Sequence, residues 1–175
     1  LNGSPRTNTD TPFLKFLPQE AFSSDVQVLR PGVYCSGEIG LLGEEKIVRV
    51  HLVDDSPVFR ERMMLLLQEL GGISITGHSE SAEEAVRSIK AQMPDVVLLD
   101  IRLKSGTGFD VLRAVCAGGT GPVFIVVTSY TAPIYREMSL RNGAYAFITK
   151  ASGTKELATI LGGLRMQQPR EAGQT

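Results

Sequence analysis

Pro94-Asp95-Val96-Val97-Leu98-Leu99-Asp100-Ile101-Arg102 contains a short apolar run that opens after Pro and breaks off at a carboxylate. Its length and β-branched content read as a strand buried on both faces. A charge placed where such a strand stops lies at the carboxyl edge of a parallel sheet. That edge is where open α/β folds put their chemistry. Asp100 acquires a function only if other side chains reach the same edge.

Outward from this run the sequence is regular. Ile47–Val53 is a strand candidate ending on Asp54-Asp55. Ser56-Pro57 starts a helix, with Ser as cap and Pro at the first helical position. Phe59, Met63, Leu66, Leu67 and Leu70 recur at helical spacing up to Gly71-Gly72. Ile73–Gly77 reads as a second strand. Ser81-Ala82-Glu83-Glu84 fits a capping box ahead of an apolar stripe at Ala82, Ala85, Val86 and Ile89. Beyond Asp100, Lys104-Ser105-Gly106-Thr107-Gly108 leads into a helix through Phe109, Leu112 and Val115. Pro122–Val127 reads as a fourth strand ending on Thr128-Ser129, followed by a helix from Ala132 or Pro133 to Arg141. Tyr145–Thr149 reads as a fifth strand ending on Lys150, and Thr154–Met166 as the last helix. Strand–helix alternation with short connections implies an α/β fold: a doubly wound, five-stranded parallel sheet with helices on both faces.

Composition narrows the function classes. The chain has 175 residues, 42% hydrophobic and 21% charged, with a net charge of −1, and nothing global points to nucleic acid or an anionic membrane. No stretch approaches the ~18 apolar residues of a membrane span. The start lacks the basic-then-apolar pattern of a secretory signal, and the first Met is Met63, so the chain reads as trimmed or as carrying added residues. Cys35 and Cys116 stand in no metal-like spacing and read as free thiols of a cytoplasmic protein. His51 and His78 have no His or Cys partner at ligand spacing and read as structural. The loop after Lys104 lacks the Gly-Lys-Ser/Thr ending of a P-loop.

If the sheet is parallel, Asp54, Asp55, Asp100, Thr128 and Lys150 all come to one edge. Crowded carboxylates repel one another and raise each other's pKa. A hard divalent cation relieves that repulsion, and Mg²⁺ is held in this way by one or two carboxylates plus waters. A metal, a Lys and a hydroxyl beside a carboxylate make a receptor for a phosphoryl group. A carboxylate can itself be the nucleophile that forms an aspartyl phosphate.

Residues 46–168 resemble the receiver domain of two-component response regulators. The resemblance rests on Val53-Asp54-Asp55-Ser56, Leu98-Leu99-Asp100, Gly108, Val127-Thr128-Ser129, Gly143-Ala144 and Phe147-Ile148-Thr149-Lys150. It implies a flavodoxin-like strand order, 2-1-3-4-5. It implies that Asp100 accepts phosphate from a histidine kinase or phosphotransfer protein, with Thr128 and Lys150 completing the site. Mg²⁺ would be bound by Asp55 directly, Asp54 through water, Asp100, and the backbone carbonyl of Arg102. Thr128 and Phe147 would form the switch, with Phe147 swinging inward. The site would catalyse its own phosphorylation and dephosphorylation without being a conventional enzyme. The output surface would be the fourth helix, fifth strand and fifth helix, through which a homodimer could also form.

Departures from the family pattern carry further expectations. Lys104 stands where receivers usually have Pro, which should loosen the loop after Asp100 and add a positive charge near it. Ala151 follows Lys150 where many receivers have a cis Pro, so a trans or a strained bond is expected. Phe147 lacks the hydroxyl of the commoner Tyr. Arg102 and Tyr130 are bulky and would screen the in-line path of an attacking water. Aspartyl-nucleophile phosphatases carry a second Asp two residues after the nucleophile; Arg102 occupies that position and argues against them. The alternative is the receiver portion of a DNA-binding transcriptional regulator whose effector domain is absent. Against it, Thr128–Arg136 resembles stand-alone receivers, and the residues after the last helix are few and not basic. Neither direct nucleic-acid binding nor a membrane contact is expected.

Residues 1–45 read as an N-terminal extension, either a mobile arm or a small docking element. They hold four Pro but also Phe13, Phe16 and Phe22, and Val26–Leu29 with Val33–Cys35 could form a hairpin around Pro31-Gly32. Residues 46–168 are expected to form the domain, and 169–175 a flexible tail.

Overall fold

The structure, a computed structural model, describes residues 27–28, 47–117, 121–151 and 153–165. In chain order the elements are β1 (Gln27–Val28), β2 (Val48–Val53), α1 (Pro57–Glu69), β3 (Ile73–Ser79), α2 (Ala82–Gln92) and β4 (Val96–Leu99). They continue with α3 (Gly108–Cys116), β5 (Val123–Thr128), α4 (Pro133–Arg141), β6 (Ala146–Thr149) and α5 (Thr154–Arg165). One sheet runs β1-β6-β5-β4-β2-β3. The five strands β2 to β6 are mutually parallel. Counted among themselves, they lie in the expected flavodoxin-like order, 2-1-3-4-5.

Strand periodicity builds two cores. Val48, Val50 and Leu52 of β2, Val96 and Leu98 of β4, and Ile125 and Val127 of β5 face α1 and α5. The alternate residues Val53, Val97, Leu99, Phe124 and Val126 face α2 and α3, with Tyr135 of α4 packed on the same side. Both faces are covered, so β4 is apolar at every position and β2 departs from that only at the exposed Arg49 and the buried His51. Each large side chain buried this way contributes about 1.5–3 kcal/mol. The helices start where the sequence places their caps. Ser56 Oγ accepts from Phe59 N at 3.4 Å, and Ser81 Oγ from Glu84 N at 3.4 Å. The Glu84 carboxylate accepts from Glu80 N instead of closing a box on Ser81.

Two features differ from the expected pattern. β3 extends to Ser79, because the β2–β3 register slips between Val50 and His51: Val50 pairs Ile75, but His51 pairs Gly77. The extra residue makes room for the buried His51 ring, which meets Ser79 Oγ at 3.0 Å and Gln92 Oε1 at 3.1 Å. Second, Gln27–Val28 runs antiparallel along β6, Gln27 opposite Phe147 and Val28 opposite Ala146. The expected hairpin partner, residues 33–35, lies outside the described residues, as does the rest of the N-terminal extension and the tail.

Candidate functional site

Backbone hydrogen bonds carry the ladder one residue past the strand ends and so level the site. Asp54 N donates to Ser79 O (3.0 Å), Asp100 N to Val53 O (2.8 Å) and Lys150 N to Thr128 O (2.8 Å). Asp54, Asp100, Thr128 and Lys150 therefore meet at one edge, and Asp55 stands beside them. One carboxylate oxygen each from Asp54, Asp55 and Asp100 lies within 4.8 Å of the other two. Asp54, Asp100 and Thr128 are buried, Asp55 half-buried.

Lys150 Nζ lies 2.6 Å from Asp54 Oδ2 and 2.6 Å from Asp100 Oδ2. Only the Asp100 contact has hydrogen-bond geometry, so the buried Asp54 Oδ2 is ion-paired without a directed donor. The same ammonium rests 4.1 Å above the Phe59 ring, a cation–π contact from the first turn of α1. Asp54 Oδ1 accepts from Ser56 N at 2.8 Å. Asp100 Oδ1 accepts from Ile101 N at 2.7 Å and Arg102 N at 3.4 Å. Beneath the carboxylates an apolar cleft is walled by Phe59, Met63, Leu98 and Val127.

Burial is the main cause that raises the Asp54 pKa, and the Asp100 charge adds to it. The close Lys150 ammonium and the hydrogen bond from Ser56 N work against it without cancelling it. Burial opposes the charge on Lys150, but its close contacts with the Asp100 and Asp54 carboxylates prevail and raise its pKa. One ammonium shared by two carboxylates thus leaves Asp54 short of positive charge. Three oxygen donors and an unsatisfied buried carboxylate oxygen fit a hard divalent cation.

The remaining expected residues fall around this centre. Phe147 is already turned inward, 1% exposed, with the Arg136 guanidinium 5.3 Å over its ring. Arg102 is exposed and bridges to Thr107 across the loop after β4. The Tyr130 ring packs against Tyr135 at 4.8 Å. The described residues contain no cis peptide bond, so Lys150–Ala151 is trans. The Lys104 N–H, which Pro would lack, donates to Glu80 O at 2.9 Å and ties the loop after β4 to the one after β3. Arg60, Glu80 and the Phe59 platform were missed by sequence reasoning. Phe59 was visible only as a core residue, and nothing local marks the other two.

Comparison with known proteins gives the same answer from outside the geometry. A family model described as the response regulator receiver domain matches residues 50–162. The transcriptional regulatory protein NarL of Mycobacterium tuberculosis is 32% identical over 110 residues, covering 63% of this chain and 51% of that protein. The response regulator GacA of Pseudomonas viridiflava is 26% identical over 132 residues, covering 73% of this chain and 62% of its own. Among solved structures, the NarL receiver domain of M. tuberculosis has a TM-score of 0.64 at 28% identity, covering 70% of this chain and 99% of that one. The response regulator domain of Thermotoga maritima CheB has a TM-score of 0.60 at 26% identity, covering 69% and 94%. The chain spans about half the length of the first curated relatives it matches. Since the matched span runs from β2 into α5 and takes in all five edge residues, this chain belongs to the response regulator receiver domain family.

Proposed function

We propose that this chain is a phosphoacceptor whose Asp100 takes a phosphoryl group from the phosphohistidine of a histidine kinase or phosphotransfer protein. The Asp100 carboxylate attacks phosphorus, the P–N bond breaks, and the histidine nitrogen leaves with the electron pair. The observation that carries this reading is the Lys150 ammonium set between Asp54 and Asp100 at 2.6 Å from each. Transfer brings the phosphoryl oxygens to Asp100; Lys150 pairs with them and Thr128 donates its hydroxyl. Asp54, Asp55, Asp100 and the Arg102 carbonyl would hold Mg²⁺, which supplies charge neutralisation at the phosphoryl oxygens. Thr128 and Phe147 would carry the switch to the surface of α4, β6 and α5, where a partner or a second copy docks. The site then speeds its own phosphorylation and dephosphorylation. The acting unit is residues 46–168, and the setting cytoplasmic.

A second reading is supported by the names of relatives: one is called "Probable transcriptional regulatory protein NarL" and another "DNA-binding transcriptional activator DevR/DosR". On that reading the chain is the receiver portion of such a regulator. Beryllofluoride titration in Mg²⁺, followed by amide NMR, tests the main reading. Wild type should shift at Thr128 and Phe147, and Asp100→Asn should not. Equal responses in the two proteins overturn it.

A further inference from the structure

Glu80 lies in the β3–α2 loop, which contributes none of the five edge residues, yet it links two of the loops that do or that adjoin them, the one after β2 and the one after β4. Arg60, its side chain only 12% exposed, donates from Nη2 to Glu80 Oε1 at 2.8 Å and from Nη1 to the Asp54 carbonyl at 2.8 Å. The Glu80 carbonyl accepts from Lys104 N at 2.9 Å, in the loop that follows Asp100. The Lys104 ammonium adds an exposed contact to Glu80 Oε2 at 3.6 Å. Glu84 holds Glu80 N at 3.0 Å, and Ser105 O accepts from Ala82 N at 2.9 Å. One guanidinium, gripped at its far side by a carboxylate, is thus anchored to the backbone of the acidic pair. The same carboxylate residue is tied to the Asp100 loop.

We propose that Arg60 and Glu80 act as positioning residues, a clamp that fixes Asp54-Asp55 against Asp100 and thereby sets the affinity of the acidic site for a divalent cation. This rests on the Mg²⁺ reading above for its consequence, but not for its geometry. A planar guanidinium suits the role because it donates to two acceptors at a fixed angle. The Asp54 carbonyl it holds belongs to the turn in which Asp54 Oδ1 accepts from Ser56 N. Loss of the clamp therefore frees the turn that presents both carboxylates. The exposed Lys104 ammonium, 74% accessible, contributes little, because a screened contact at that distance is weak.

The test uses the full chain and Mg²⁺ alone, without a phosphoryl donor. Calorimetric titration compares wild type with Arg60→Met, Glu80→Ala, Glu80→Gln and Lys104→Ala. Arg60→Met and Glu80→Ala should weaken Mg²⁺ binding about tenfold, the loss usual when a partner that orients metal ligands is removed. Glu80→Gln should fall between them and wild type, since its amide oxygen still accepts from Arg60. Lys104→Ala should bind like wild type. In metal-free protein, Ser56 amide exchange should accelerate in Arg60→Met and Glu80→Ala, with the amides of β4 and β5 unchanged. An ordinary surface ion pair would lower stability and leave both readouts alone. Wild-type Mg²⁺ affinity and wild-type Ser56 exchange in folded Glu80→Ala overturn the proposal, even if Arg60→Met does not fold. If wild type binds no Mg²⁺ but Ser56 exchange accelerates in the variants, the clamp stands and the proposed function fails.

Discussion

The Lys150 ammonium and the Asp54 carboxylate meet at 2.6 Å, yet the contact leaves Asp54 with a raised pKa because burial and the neighbouring Asp100 outweigh it. Lys150 neutralises a site that holds more negative charge than it can match. Lys150→Met keeps the stem over Phe59 and removes the charge. Breaking a buried pair by deleting one partner costs about 3–5 kcal/mol, and Lys150 is only 14% exposed. The expected loss is about 3 kcal/mol in metal-free protein, and smaller with Mg²⁺ present. Urea unfolding with and without Mg²⁺ measures both, and equal losses in the two conditions would count against a shared metal and Lys role.

Asp54→Asn is expected to act in the opposite direction. With a folded pKa above 3.8, Asp54 contributes stability below that pH. The contribution is lost as pH rises through the folded value. At neutral pH the ionised group is therefore a net cost, which Asn removes while its Oδ1 still accepts from Ser56 N. Thermal unfolding of metal-free protein should show a higher midpoint for Asp54→Asn. Mg²⁺ should raise the midpoint of wild type and leave the variant nearly unmoved. A lower midpoint for the variant in metal-free buffer contradicts the burial account.

The edge residues were legible in the sequence for a local reason. Asp54, Asp100, Thr128 and Lys150 each follow directly on, or end, an apolar run, and parallel pairing carries every run to the same side. Arg60 and Glu80 escaped because their roles depend on loops that are distant in sequence and on a backbone carbonyl, neither of which leaves a mark on residue type. Phe59 fitted the apolar stripe of α1, and the stripe does not reveal that its ring supports an ammonium. The end of β3 was misplaced because a bulge built around the His51 ring adds a residue that breaks strict alternation. The pairing of Gln27–Val28 with β6 joins segments more than a hundred positions apart, beyond any local pattern.

His51 gives the fold its own pH dependence. Burial is the main cause that lowers its pKa from 6.5, helped by the His78 charge and opposed by Gln92 and Glu84. Its contribution to stability is complete above the unfolded value of 6.5 and is lost as pH falls toward the folded value, since only the unfolded chain takes up the proton. In that window the loss approaches about 1.4 kcal/mol per pH unit. Urea midpoints followed from neutral pH downward should fall more steeply for wild type than for His51→Asn. Parallel curves would show that His51 does not govern this window.

Gly108 and Gly162 respond to an added methyl group with opposite sign. A Cβ on Gly108 would sit 2.4 Å from the Asp100 carbonyl oxygen and 3.1 Å from Ile101 Cα, both backbone atoms that cannot rotate away. Gly108→Ala must therefore push α3 off the loop that follows Asp100. The expected loss is about 2–3 kcal/mol, as for overpacking elsewhere. The displacement should also weaken Mg²⁺ binding, because it moves the Asp100 backbone. Gly162, inside α5, would place its Cβ in open space with nothing within 4 Å. Gly162→Ala is expected to stabilise by about 0.5–1 kcal/mol through helix propensity and to leave Mg²⁺ binding unchanged. Urea unfolding and Mg²⁺ titration of both variants decide the point. A Gly108→Ala protein with wild-type stability would show that the close approach of α3 to Asp100 is not needed to hold the site.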